Sequence, residues 1–329
     1  MLFLYKNKLN YAIAVLIVTM GLLTACNGQS SEGQEPIVFA DAGWDSLIFH
    51  NEVASVILEA GYDYETSQIT GSSTAVWAGI SDGDIDVHME VWKDNLEDIY
   101  SEGIENGDFQ KVSLNFDDNY QGFYVPTYVI EGDEERGIDP VAPDLKYVED
   151  LPEYKEVFQD PEEHSKGRIV GAISGWTVDE ILHDAYLHYG LDDTFNYSRP
   201  GSEMAINSDL TNAYENGEPW IGYNYEPNWI MGQYDMTPIV EKEEGPLESI
   251  ATQDIEIVVT SSLPDRAPEV TEFLSNYQTS SDITNEALSY IQNNDATPRD
   301  AAIKFLQENE ELWTNWVPED VVEKVQSEL

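Results

Sequence analysis

Short apolar runs alternate with longer helical patterns along most of this 329-residue chain. Residues 37–42 (IVFADA) read as a strand closing at Gly43. After it, Leu47, Ile48, Val53, Val56, Ile57 and Leu58 recur at helical spacing as far as Gly61. Residues 64–70 read as a second strand, 74–80 as a helix ending at Asp82-Gly83, and 85–91 as a third strand. Strands spaced by helices imply parallel pairing through crossover connections, hence an α/β fold. A second series follows the loop-rich acidic stretch 132–149. It comprises strands at 169–173, 195–198 and 220–225, with helices at 178–188 and 206–216 between them.

Residues 255–259 (IEIVV) form one more strand, and after it the pattern is only helical, at 267–277, 282–292, 299–308 and 319–327. One strand cannot make a third domain. Returning it to the first unit gives lobe I as 37–125 plus 240–329 and lobe II as 126–239, with the chain crossing twice, near 125 and 240. Two crossings make a hinge, and a cleft between α/β lobes is a common seat for small ligands.

The N-terminus has a different pattern. Lys6 and Lys8 precede an uncharged, largely apolar run ending Leu23-Thr24-Ala25-Cys26, the layout of a signal peptide at 1–25. Its end resembles the lipobox of bacterial lipoproteins, which implies cleavage before Cys26 and lipidation of that residue, the only cysteine in the chain. The small polar stretch 26–36 then serves as a flexible leash. The expected location is extracytoplasmic, tied to a membrane by lipid.

Charge and cysteine content narrow the function. Against 15 Lys+Arg stand 64 Asp+Glu, a formal net charge of −49. Such a surface repels phosphate backbones, which excludes nucleic acid as a partner. A single cysteine excludes an internal disulfide framework and a cysteine-based zinc cluster. The five histidines include no HExxH pair, and no G-x-S-x-G turn occurs. No cofactor or metal is expected.

Aromatic residues stand where such a cleft would be. Trp44 follows the first strand, Trp92 the third, and Trp176 the first strand of lobe II; Tyr225 ends that lobe's last strand, with Trp229 four residues on. One aromatic at a strand end is ordinary core packing, and Trp77, Trp313 and Trp316 read that way. Several at equivalent ends, drawn from both lobes, suit a ligand whose charge is shielded by methyl groups, because ring faces are then its best partners. Each desolvated contact contributes up to about 2 kcal/mol, so three or four give roughly 6–8 kcal/mol. Micromolar affinity needs about 8 kcal/mol. Asp45 and Glu90 could add attraction for a cation, and alternation puts Glu90 and Trp92 on one strand face. Ser174-Gly175-Trp176-Thr177 supplies a small-residue turn at a helix start, suited to a ligand carboxylate.

FADAGWDS (39–46), AVWAGISDGDIDVHMEVW (75–92), GFYVPTYV (122–129), KGRIVGAISGW (166–176), YGLDDTFNYSRPGS (189–202) and AYENGEPWIGYNYEPNW (213–229) resemble the extracytoplasmic substrate-binding proteins of ABC-type glycine betaine, proline betaine and choline uptake systems. The resemblance implies a two-lobed, periplasmic-binding-protein-like (type II) fold and no enzymatic activity. It implies a monomer that delivers a quaternary ammonium solute to a permease and, through it, to an ATPase. An aromatic box of Trp44, Trp92 and Tyr225 is implied, with Trp176 as a further wall and the amides of Gly175 and Trp176 for a ligand carboxylate. Tyr225 stands where many relatives have Trp. The histidine that some relatives carry just after the residue matching Trp92 is absent from Lys93-Asp94-Asn95-Leu96-Glu97. The rival reading is a secreted carbohydrate-binding or glycoside-hydrolysing protein, with Trp platforms flanked by Asp45 and Glu90 as acid and base.

Overall fold

The computed structural model describes residues 34–329, so the proposed signal peptide, Cys26 and most of the leash lie outside the described residues. Among the described residues, ten strands form two five-stranded sheets. They are β1 (Ile37–Asp41), β2 (Thr66–Thr70), β3 (Val87–Val91), β4 (Phe109–Phe116), β5 (Gln121–Pro126), β6 (Gly167–Val170), β7 (Phe195–Ser198), β8 (Gly222–Tyr225), β9 (Met236–Ile239) and β10 (Ile255–Thr260). The first sheet runs β2-β1-β3-β10-β4 and the second β7-β6-β8-β5-β9. This is a two-lobed α/β architecture.

The strand-helix alternation accounts for the parallel part of each sheet, β2-β1-β3 and β7-β6-β8. The rest is antiparallel. β10 enters the first sheet between β3 and β4, and β5 enters the second between β8 and β9. Strand β10 lies in the first sheet, in a central and fully buried position. Strand β5 corrects the crossing expected near 125. Both of its neighbours lie in the second sheet, so the chain changes lobes at residues 117–120 and comes back through 240–254.

Helix Asp45–Tyr62 spans the first lobe, and the C-terminal helices Ser281–Asn294, Pro298–Glu308 and Glu319–Glu328 pack against it. The last of these lies close at Gly61, where an added Cβ would meet Val321 Cγ1 at 2.6 Å. The tail thus completes the first lobe's core, burying Trp313 and Trp316 as the sequence suggested.

Where the two crossing segments run side by side, uncharged side chains hold them. The Asn119 amide donates to the Gln253 carbonyl oxygen at 2.6 Å, and the Gln253 N–H donates back to Asn119 Oδ1 at 3.1 Å. Gln253 Nε2 donates to Asn95 Oδ1 at 2.8 Å, and Gln121 Nε2 reaches the same oxygen at 2.9 Å. Tyr223 donates its hydroxyl proton to Gln121 Oε1 at 3.0 Å, joining the network to the second sheet. Replacing Asn119 by Ala strands the buried Gln253 N–H and carbonyl. The expected loss is about 1–3 kcal/mol in urea unfolding.

Candidate functional site

Alternation along two strands builds the site. On β3 and its extension, His88, Glu90 and Trp92 share one face; on β8, Tyr223 and Tyr225 do. Both strands end at the cleft between the sheets. Trp44 and Trp176 come from the loops that follow β1 and β6. The Trp44 loop turns at Gly43, whose φ of +87° lies in the left-handed region that favours glycine.

The four rings meet nearly at right angles. Trp44 and Trp176 have centroids 5.8 Å apart at 88°, Trp176 and Tyr225 6.0 Å at 86°, and Trp92 and Tyr225 5.9 Å at 87°. All four line one cavity, which holds about 450 Å³ of atom-free space with its mouth included. Three of them are tied by their polar edges. The Trp92 indole N–H donates to Glu90 Oε1 at 2.9 Å, the Trp176 indole N–H to the Ala42 carbonyl oxygen at 3.0 Å, and the Tyr225 hydroxyl to Glu203 Oε1 at 2.8 Å. In this arrangement of the lobes each of the three rings has its edge fixed by protein. The Trp44 indole N–H is buried with no hydrogen-bond partner.

Glu90 is fully buried in the cavity wall. Its Oε1 accepts from Trp92 and from the Ser46 hydroxyl at 3.0 Å, while Oε2 is buried with no partner. Burial pushes its carboxyl up to about 7. The donors Trp92 and Ser46, with the Trp44 indole close by, act in the opposite direction without cancelling the rise. His88 is held neutral because burial drives its pKa down to about 3. Its Nδ1 accepts the Glu90 backbone N–H at 3.2 Å, which puts the ring proton on Nε2. Trp77 stacks on it at 5.6 Å and 24°. No Lys or Arg occurs among the described residues lining the cavity. The site therefore offers ring faces and one acid, a combination suited to a cation and poor for a net anion.

Trp44, Trp92, Trp176, Tyr225 and Glu90 are thus brought together; three other candidates are not. The exposed Asp45 borders a neighbouring part of the cleft with Met204 and Asn207. As the first residue of helix Asp45–Tyr62 it is turned away from the cavity. Trp229 is buried against the first lobe's core, because the short helix Trp229–Gln233 carries it onto helix Ser281–Asn294. Gly175 does not line the cavity either. Its carbonyl oxygen accepts the Ser73 backbone N–H at 3.0 Å, and the Trp176 backbone N–H is already donated to the Ile173 carbonyl oxygen at 2.8 Å. The carboxylate seat expected at that turn is therefore partly spent on the protein itself.

Sequence reading missed His88, Tyr223 and Glu203 and placed Trp77 only in the core. Period-two alternation could have found His88 from Glu90 and Tyr223 from Tyr225. For Glu203 there was no such signal, since an acid in the first turn of a helix is commonplace. Yet Glu203 is buried, accepting from Tyr225, from Asn228 Nδ2 at 2.9 Å and from the Asp45 backbone N–H at 2.9 Å. Burial first, and the Asp45 carboxylate second, push its carboxyl up to about 8.

A sequence profile described as the substrate binding domain of the ABC-type glycine betaine transport system matches residues 35–308. The trimethylamine N-oxide-binding protein of Pelagibacter ubique (strain HTCC1062) is 22% identical over 294 residues, which is 87% of this chain and 91% of that protein. An ABC-transporter choline binding protein in complex with choline superposes with a TM-score of 0.73 at 21% identity, covering 89% of this chain and 97% of that one. Lactococcal OpuAC, closed and complexed with glycine betaine, gives 0.69 at 17% identity, covering 86% and 100%. At these identities the solved structures establish the shared two-lobed fold.

A bound cation favours ionised Glu90, whereas the free site holds that carboxyl near 7, so binding must release a proton as pH falls below this value. Affinity of the wild type for tetramethylammonium as a probe cation, relative to Glu90→Gln, is expected to fall about tenfold from pH 8 to pH 6. Calorimetric titrations across that range in buffers of different ionisation enthalpy check both the trend and the proton released.

Proposed function

The chain belongs to the substrate-binding domains of ABC-type glycine betaine transport systems, and from that premise we propose that its lobes close on a methylated ammonium held by Trp44, Trp92, Trp176 and Tyr225, with Glu90 as counter-charge. Proteins of this family bind solutes for ABC transporters outside the cytoplasm and are not enzymes. The observation that carries the proposal is the run of four aromatics, each ring perpendicular to the next, beside a fully buried acid with one unpaired oxygen. Choline, glycine betaine and trimethylamine N-oxide, named for the relatives, all carry methyl groups on nitrogen.

Within that class, the site favours a ligand without a carboxylate. Glu90 would repel one, no cationic group lines the cavity among the described residues, and the Trp176 amide is already used. Choline fits this description better than glycine betaine does, because its hydroxyl can donate to the free Glu90 oxygen. The glycosidase reading loses its second carboxylate, since Asp45 stands outside the cavity.

Delivery to a permease completes the reading, with the protein acting as a monomer anchored through lipid on Cys26. No helix among the described residues is long and apolar enough to cross a membrane. An anchor at Cys26 would hold the loaded domain near its transporter.

Titration of the purified domain with choline is expected to quench or shift tryptophan fluorescence and to saturate in the micromolar range, with glycine betaine weaker. Trp92→Ala should raise the choline Kd at least tenfold, from the loss of one desolvated ring contact. Silence towards choline, glycine betaine and trimethylamine N-oxide alike would sink the proposal. In cells, Cys26→Ala should move the protein from the membrane fraction to the soluble one, seen by fractionation and immunoblot.

A further inference from the structure

Besides the Asn95–Gln121 pair of the hinge network, three hydrogen bonds among the described residues run from one lobe to the other. Ser73 N–H donates to the Gly175 carbonyl oxygen, the Trp176 indole to the Ala42 carbonyl oxygen, and the Asp45 backbone N–H to Glu203 Oε2. The third joins two features that are incomplete by themselves. Helix Asp45–Tyr62, 18 residues long, begins at Trp44, which makes no side-chain capping bond. Its first-turn N–H groups need acceptors from elsewhere. On the opposite lobe, Glu203 opens helix Glu203–Asn216, whose own cap is already supplied by the Ser202 hydroxyl accepting from Ala205 N–H at 3.2 Å. Glu203 is thus free of duty to its own helix. One of its oxygens holds the Tyr225 hydroxyl and the Asn228 amide, and the other faces across the cleft to Asp45.

We propose that Glu203 is a positioning residue that caps the first lobe's helix only when the cleft is closed, so that the same carboxyl which orients the Tyr225 cage wall also locks the two lobes together. This rests on the reading of the site as a closing methylammonium cage. Opening the cleft removes the Asp45 N–H from Glu203 but leaves the Tyr225 bond, which lies within the second lobe. The bond therefore belongs to the closed state alone and lengthens its lifetime. Its loss appears in the dissociation rate and leaves association nearly untouched.

The donor can be deleted without touching Glu203. Asp45 is the first residue of its helix, where proline is well tolerated, and Trp44 before it has the extended backbone (φ −121°, ψ 147°) that precedes proline readily. Asp45→Pro removes the N–H and the carboxylate; Asp45→Ala removes the carboxylate alone. Stopped-flow tryptophan fluorescence with choline is expected to show the dissociation rate of Asp45→Pro about tenfold above that of Asp45→Ala, with association rates within twofold. Glu203→Ala should raise the dissociation rate by at least as much, and it carries the same expectation should the proline variant not fold. Equal dissociation rates for the proline and alanine variants, or a Glu203→Ala protein that dissociates like the wild type, would overturn the latch while leaving choline binding by the wild type intact. A wild type that binds neither choline nor glycine betaine would overturn the cage reading and the latch together.

Discussion

Four aromatic rings, each perpendicular to the next, can stand around a cavity only if something other than their own packing holds them there. Left to themselves, exposed rings collapse onto the nearest apolar surface. Here the constraint is the fixing of polar edges: Trp92 on Glu90, Trp176 on Ala42 and Tyr225 on Glu203. Trp44 and Trp92 come from the first sheet's side of the cleft and Trp176 and Tyr225 from the second, so the box exists only while the lobes are together. Sheet order, crossing points and C-terminal helices all serve to bring two sets of strand ends face to face.

Glu90 is the expensive member of the arrangement. A fully buried carboxyl with one unpaired oxygen destabilises its own ionised form, which is why its pKa rises to about 7. A core built for stability alone would put an apolar residue there. Its position beside Trp92 and Trp44 makes chemical sense for a site awaiting positive charge, and neutral His88 beneath it adds no competing cation.

Much of this was legible in the sequence, for identifiable reasons. The parallel strands announced themselves because they are short and separated by helices, with β1 and β3 mostly apolar. Strands β4, β5 and β9 did not: β4 carries a lysine and polar residues, β5 contains Gly122 and Pro126, and β9 contains Pro238, tolerated because that strand lies at a sheet edge. The cage rings were visible as aromatics at strand ends. Trp229 misled because proximity in sequence to Tyr225 says nothing about the bend at residues 226–228 between them, and Asp45 misled because adjacency to Trp44 puts its side chain on another face. Glu203 could not be read at all, since its meaning comes from a residue 158 positions away.

The segments that join the lobes meet through uncharged groups in a chain that bears a net charge of −49. Asn95, Asn119, Gln121 and Gln253 clasp one another there through amide dipoles. Dipoles at contact distance are barely altered by dissolved ions, whereas forces between exposed carboxylates are strongly damped by them. The pivot therefore keeps one stiffness in brine and in dilute medium alike, and the surface can carry whatever charge its surroundings demand without detuning the joint beneath it.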